Sequence, residues 1–496
     1  MEHEGTRGVV FPLFADGRRS TSALGRAVVA DALRSADAAG ALSAEHETNW
    51  RSGYLVHFRR LVEAGLASKA AALSIARDGT GSLHARMRVS GPDGDETGLD
   101  ALLSAPAHAS VATLSVPGTA QPETELSLPY RGERLRGDPL LRRLDAWVSG
   151  GIMEPSCADA VREVAAHPEW LRLPGHTVVA LGAGAEVGPA EVLLRWGARV
   201  AAVELPSPPT WERVLDMARR GAGTLLVPVT QAAPARSGSG DDAIAQRAGL
   251  DLARQVPAAA DWLAGLDGPL VLGNYVYADG AANVAVCVAA DALTTRLQAA
   301  RSDLALAFLA TPTDVYAVPA EAVAASARAY ASRPLGAKLA GRPLRTLSGG
   351  RLLCQAYPRG ADPGICDSLV SQQGPNYALA KRLQRWRATI ARETGATVSL
   401  NIAPPTRTRS VVKNRALAAA YAGAHRFGAE VFDPATTRAL MAALLVHDLH
   451  TTGPAHAHPW QDEAHAAAPG GLWRIAYTPR SALGLAAMLG YRAARP

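Results

Sequence analysis

The sequence predicts an α/β fold: a doubly wound parallel sheet with helices on both faces and extensions at both chain ends. Three observations predict it. From residue 174 onward, short and nearly uninterrupted apolar runs recur, as in strands buried on both faces. Helical stretches separate them, the spacing that parallel strands require. The first run ends in a glycine-rich turn that leads into the next helix.

Taken in order, residues 1–170 read as an N-terminal accessory region. Residues 49–72 carry apolar side chains at Leu55, Phe58, Val62 and Leu66 near helical spacing, and residues 82–90 alternate as a strand would. A Pro/Gly-containing segment, 117–138, reads as a loop, followed by helices at 139–149 and 157–167. Strands are expected at 177–181, ending in the glycine turn, and then at a run closed by Glu204. Further strands follow within 223–231, 269–280 and 303–319. Pro189 stands near the first turn of the intervening helix, where proline is tolerated. Residues 232–242 read as a Gly/Ser-rich surface loop, and 431–449 as an amphipathic helix expected to pack on the core, with a dimer-forming or substrate-covering role as the alternatives. The domains expected are 1–170, 171–425 and 426–496.

Composition narrows the function classes. The 496 residues are 48% hydrophobic and 19% charged, enough for a large core. No run reaches the ~18 apolar residues of a membrane span, and the N-terminus lacks a secretory pattern. A cytoplasmic protein without a membrane partner is therefore expected. The 51 basic and 45 acidic residues leave a net charge of +6, read as spread along the chain, so no nucleic-acid partner is expected. Cys157, Cys287, Cys354 and Cys366 are far apart with no C-x-x-C, and read as small apolar residues. His447, His450, His456, His458 and His465 are irregularly spaced. No metal site is expected from them, and residues 450–471 read as a loose surface segment.

Two constellations carry chemistry. The first is Gly182, Gly184 and Gly188 in strand–turn–helix context, with Glu204 closing the next strand. A backbone without Cβ approaches a pyrophosphate closely, and an acid at that position accepts hydrogen bonds from a ribose, favouring NAD over NADP. The same features suit an S-adenosylmethionine-dependent methyltransferase. The second is Tyr377 and Lys381, four apart at the start of a helix and so on one face. A nearby ammonium favours the phenolate and makes the pair a workable proton shuttle. Tyr275 and Asp279, just past a strand end, are candidate substrate contacts.

In this order, with the strand and the Asn401–Thr408 loop that follow, residues 174–420 resemble the short-chain dehydrogenase/reductase family. The resemblance implies a Rossmann-type NAD(P)-binding fold and an oxidoreductase interconverting an alcohol and a carbonyl on a small organic substrate. It implies that Tyr377 is the general acid/base, with Lys381 holding the nicotinamide ribose. It also implies that Asn401, Thr406 and Thr408 border the nicotinamide, and that Gly182, Gly184 and Gly188 line the pyrophosphate. Asn274 stands in the fourth strand where the family has an asparagine motif. Glu186 replaces a family glycine. The hydroxyls nearest the family's serine position are Ser368 and Ser371, nine and six residues before Tyr377. A nucleotide-binding protein with a redox-neutral role, or none in catalysis, is a further reading. The sequence is compatible with a homo-oligomer.

Overall fold

The computed structural model describes residues 8–14, 16–91, 93–107, 110–230 and 240–493. Most of the 232–242 loop thus lies outside the described residues. The architecture is α/β, built on a seven-stranded sheet of β1 (Val111–Pro117), β2 (Thr177–Leu181), β3 (Arg199–Val203), β4 (Thr224–Thr230), β5 (Leu270–Asn274), β6 (Ala305–Ala310) and β7 (Val398–Ile402). Across the sheet the order is β7-β6-β5-β2-β3-β4-β1. Strands β2 to β7 are parallel, and β1 pairs antiparallel with β4 at the edge.

Alternation within each strand builds two cores. Val179, Leu181, Leu272 and Phe308 face one side, Val178, Ala180, Val271 and Ala307 the other. Helices α1 (Lys69–Arg86), α2 (Ala281–Ala300) and α3 (Gly374–Glu393) pack over the first core. Ala190–Trp196, Pro208–Arg219 and α4 (Pro434–His450) cover the second. Gly79 of α1 lets the α3 helix approach, because a Cβ there would sit 2.5 Å from the Trp386 ring.

The N-terminal residues are woven into this body. Strand β1, unforeseen in the sequence, completes the sheet, and residues 49–72 divide into helices Trp50–Gly65 and the start of α1. Residues 82–86, expected as strand, finish α1, and only Arg88–Ser90 is extended. Residues 450–471 are likewise better ordered than expected: they contain a helix, Pro459–Ala464, and buried Ala466, Ala467 and Ala468. Between β6 and α3 lies an insertion with an antiparallel ribbon (Val315–Val318 with Gly364–Asp367) and helices Ala320–Ala331 and Leu335–Leu347. Among the described residues no helix is long and apolar enough to cross a membrane.

Parallel pairing aligns the strand ends. Leu181 lies opposite Asn274 and Val203, Asn274 opposite Phe308, and Ala310 opposite Ile402. The turns after β2, β3, β5, β6 and β7 therefore leave from one edge. Chain direction across the sheet reverses between β2 and β5, where open α/β sheets form a crevice.

Candidate functional site at the carboxyl edge of the sheet

The glycine turn sits at that reversal. Gly182 has φ +81°, and a Cβ there would lie 3.0 Å from the Tyr275 carbonyl. Only glycine takes this conformation and this closeness without strain. The Gly184 N–H donates to Glu204 Oε2 at 2.9 Å, and the Leu205 N–H to Oε1 at 3.0 Å. The acid that closes β3 is thus folded against the turn. Gly188 is buried, its Cβ position 3.3 Å from the Ala185 methyl, so it packs behind the turn instead of lining its surface.

Glu186, the residue at odds with the family pattern, is turned across the edge. Its carboxylate accepts from the Arg409 N–H at 2.9 Å, and its carbonyl from Arg438 Nε at 3.2 Å. The loop after β7 is thereby held against the glycine turn. Thr408, partly exposed in this loop, bonds Ser410 at 3.0 Å. Thr406 is buried and shares its hydroxyl with the Pro404 carbonyl and Thr437. Asn401 is buried under α4, donating to Ser399 Oγ and Asp448 Oδ2 at 3.0 and 2.9 Å. These bonds give Thr406 and Asn401 structural work, contrary to the border role expected of them.

Tyr377 stands at the same edge, on the first turns of α3. Its ring meets Tyr277 edge-on at 6.3 Å, and Tyr277 in turn donates to exposed Asp279 at 2.9 Å. Burial pushes the Tyr377 phenol up from its ordinary value, while the nearby Thr311 hydroxyl, on the residue following β6, pulls it back. Burial and the Tyr377 phenol both push Tyr421 up. The hydroxyl beside the tyrosine is therefore Thr311. Ser368 is buried, donating to the Pro312 and Asp314 carbonyls at 2.7 Å each, and Ser371 is exposed, bonded to Gln372. Neither serine takes the place expected from its distance to Tyr377 in the chain.

Lys381 lies one turn further along α3. Its ammonium donates to the Leu309 carbonyl at 3.1 Å and to Gln384 Oε1 at 3.0 Å, and Gln384 Nε2 donates to buried Asn274 at 3.1 Å. Burial lowers the ammonium's pKa. Among the described residues no hydrogen bond joins it to Tyr377. Asn274 thus reaches Lys381 through Gln384, which helical spacing from Lys381 could have singled out. Tyr275, expected at the substrate, is buried with its ring folded over Gly273, where a Cβ would lie 2.4 Å from it. It packs the core and leaves Tyr277 as the exposed aromatic.

The Thr311 turn is anchored from below. Asp314, 1% exposed, takes Arg382 and Arg385 at 2.7 Å each, and Arg385 also binds Glu463 at 2.6 Å. Burial pushes the Asp314 carboxyl up, but the two guanidiniums hold it below its ordinary value. Cys157, Cys287 and Cys366 are buried, Cys354 partly exposed. No family model, curated protein or solved structure matches this chain.

Proposed function

We propose that the carboxyl edge of this sheet is a Rossmann-type dinucleotide site and that the protein is an NAD(P)-dependent oxidoreductase interconverting an alcohol and a carbonyl on a small substrate. One observation carries the reading: Tyr377, Thr311 and Lys381 share a sheet edge with the Gly182 turn and Glu204, in a parallel sheet whose order reverses at that turn. Numbered along the chain, the six parallel strands run 3-2-1-4-5-6, the order associated with dinucleotide binding.

The residues fit such a ligand. Gly182 and Gly184 keep the turn compact against the Tyr275 carbonyl and the Glu204 carboxylate, at the strand end where a dinucleotide would approach. The Glu204 carboxylate, with two N–H groups on it, retains lone pairs for ribose hydroxyls. Its charge opposes a ribose phosphate, which favours NAD. A bound nicotinamide would supply or accept the hydride. Tyr377 gives its phenolic proton to the carbonyl oxygen in reduction and takes it from the alcohol in oxidation. The nearby Thr311 hydroxyl favours the ionised form of the phenol. Lys381 spends two of its three N–H groups on Leu309 and Gln384, and the third is the donor this reading assigns to ribose.

Titration of the protein with NADH and NADPH, followed by nicotinamide fluorescence, tests the reading. Saturable binding that survives Tyr377→Phe, with turnover that does not, is expected. Failure to bind either cofactor at millimolar concentration contradicts it, and binding of S-adenosylmethionine instead supports the methyltransferase alternative.

A further inference from the structure

The insertion between β6 and α3 carries a feature that the reaction leaves unused. Helix Leu335–Leu347 presents Leu335, Leu339 and Leu347 to solvent at 77%, 69% and 87% exposure. With Pro343 between the last two, these residues recur every four positions and form one apolar stripe about 20 Å long. Lys338, Arg342 and Arg345 recur beside it at helical spacing, and exposed Arg351 follows. Among the described residues, none of these four cations forms an ion pair. The helix is seated on the body through buried Gly341, whose Cβ position lies 3.7 Å from Leu353.

The surrounding sequence has the same bias. Residues 322–361 hold seven basic residues and no acidic one, more positive charge than the +6 of the entire chain. The even spread of charge expected from composition therefore does not extend to this segment.

We infer that helix Leu335–Leu347 docks the protein on a bilayer surface rich in anionic lipid, lying in the plane of the interface. A leucine stripe flanked by lysine and arginine is the pattern of an interfacial helix: the apolar side enters the acyl boundary and the cations meet lipid phosphates. Three other occupants fit less well. A second copy of the chain would bring its own basic row against this one, with no acidic residue in the segment to answer it. A protein groove would have to bury the unpaired cations together with the leucines. Nucleic acid would satisfy the cations but leave the leucines in water.

Cosedimentation of the full chain with vesicles tests this. Vesicles of phosphatidylcholine and phosphatidylserine are expected to pellet the protein, and phosphatidylcholine alone is not. Raising the salt concentration weakens the interaction. Leu339→Glu with Leu347→Glu abolishes pelleting, and Arg342→Glu with Arg345→Glu weakens it by about tenfold or more. All four side chains are exposed, so circular dichroism should show both variants folded. The inference is overturned if the mixed vesicles do not pellet the wild-type protein, or if the leucine variant pellets equally well. A dimer in sedimentation velocity that the leucine variant dissociates would also overturn it, assigning the stripe to a second copy.

Discussion

Lys381 and Arg385 stand one turn apart on α3 and experience burial in opposite ways. Both cations lose water. Lys381 meets only neutral acceptors, the Leu309 carbonyl and the Gln384 amide, and its pKa falls. Arg385 meets Asp314 and Glu463, and although burial opposes its charge, the carboxylates raise its pKa well above the ordinary value. The comparison separates scaffold from site. Beneath the Thr311 turn each charge has a counter-charge, whereas at the sheet edge the Lys381 ammonium is held by dipoles alone.

That contrast can be broken by substitution. Tyr377→Phe should have the largest effect: a loss of about 10²–10⁴ in kcat, the usual worth of a general acid/base, with NADH affinity within about twofold. Steady-state kinetics on a responsive carbonyl substrate would check it. Asp314→Ala should cost about 3–5 kcal/mol in urea unfolding, because two guanidiniums lose their shared partner in the interior. Lys381→Met, measured in the same way, should cost less, about 1–2 kcal/mol, because two neutral acceptors lose their donor while the burial of its charge is relieved. Equal losses at the two positions would erase the distinction.

Gly182→Ala sharpens the comparison at the turn. Its φ of +81° makes a side chain cost about 1–2 kcal/mol, and the close Tyr275 carbonyl should weaken NADH binding as well. The smallest effect concerns His447. Burial lowers its pKa, but Asp448 and Glu163 more than reverse this, so the net shift is upward. A raised pKa contributes stability that is fully present below the unfolded value of about 6.5 and is lost as pH rises through the folded value. Unfolding measured across that window should show the decline in the wild type and not in His447→Gln.

Much of the sheet was legible because a strand buried on both faces announces itself as an apolar run. Strand β1 was not: residues 111–117 pair at an edge and leave Leu114 36% exposed, so their sequence lacks the continuous burial signal. The glycine turn, Glu204 and the Tyr377–Lys381 pair could be read from local spacing. Thr311 could not be matched to Tyr377, because the insertion places 65 residues between them while the fold returns α3 to the end of β6. Ser368 and Ser371 are near Tyr377 only along the chain. Asn401 and Thr406 were misplaced for a related reason: spacing located them after the right helix, but α4 decides which side of β7 and its loop is covered.

The central claim is that the Gly182 turn and Glu204 hold a nicotinamide dinucleotide at this edge. Calorimetric titration of wild-type protein and Glu204→Ala with NADH, NADPH and S-adenosylmethionine tests it most directly. The account predicts one site per chain, NADH bound more tightly than NADPH, and a marked loss of that preference in the variant. No heat of binding from either dinucleotide, or the same affinities in both proteins, would contradict it.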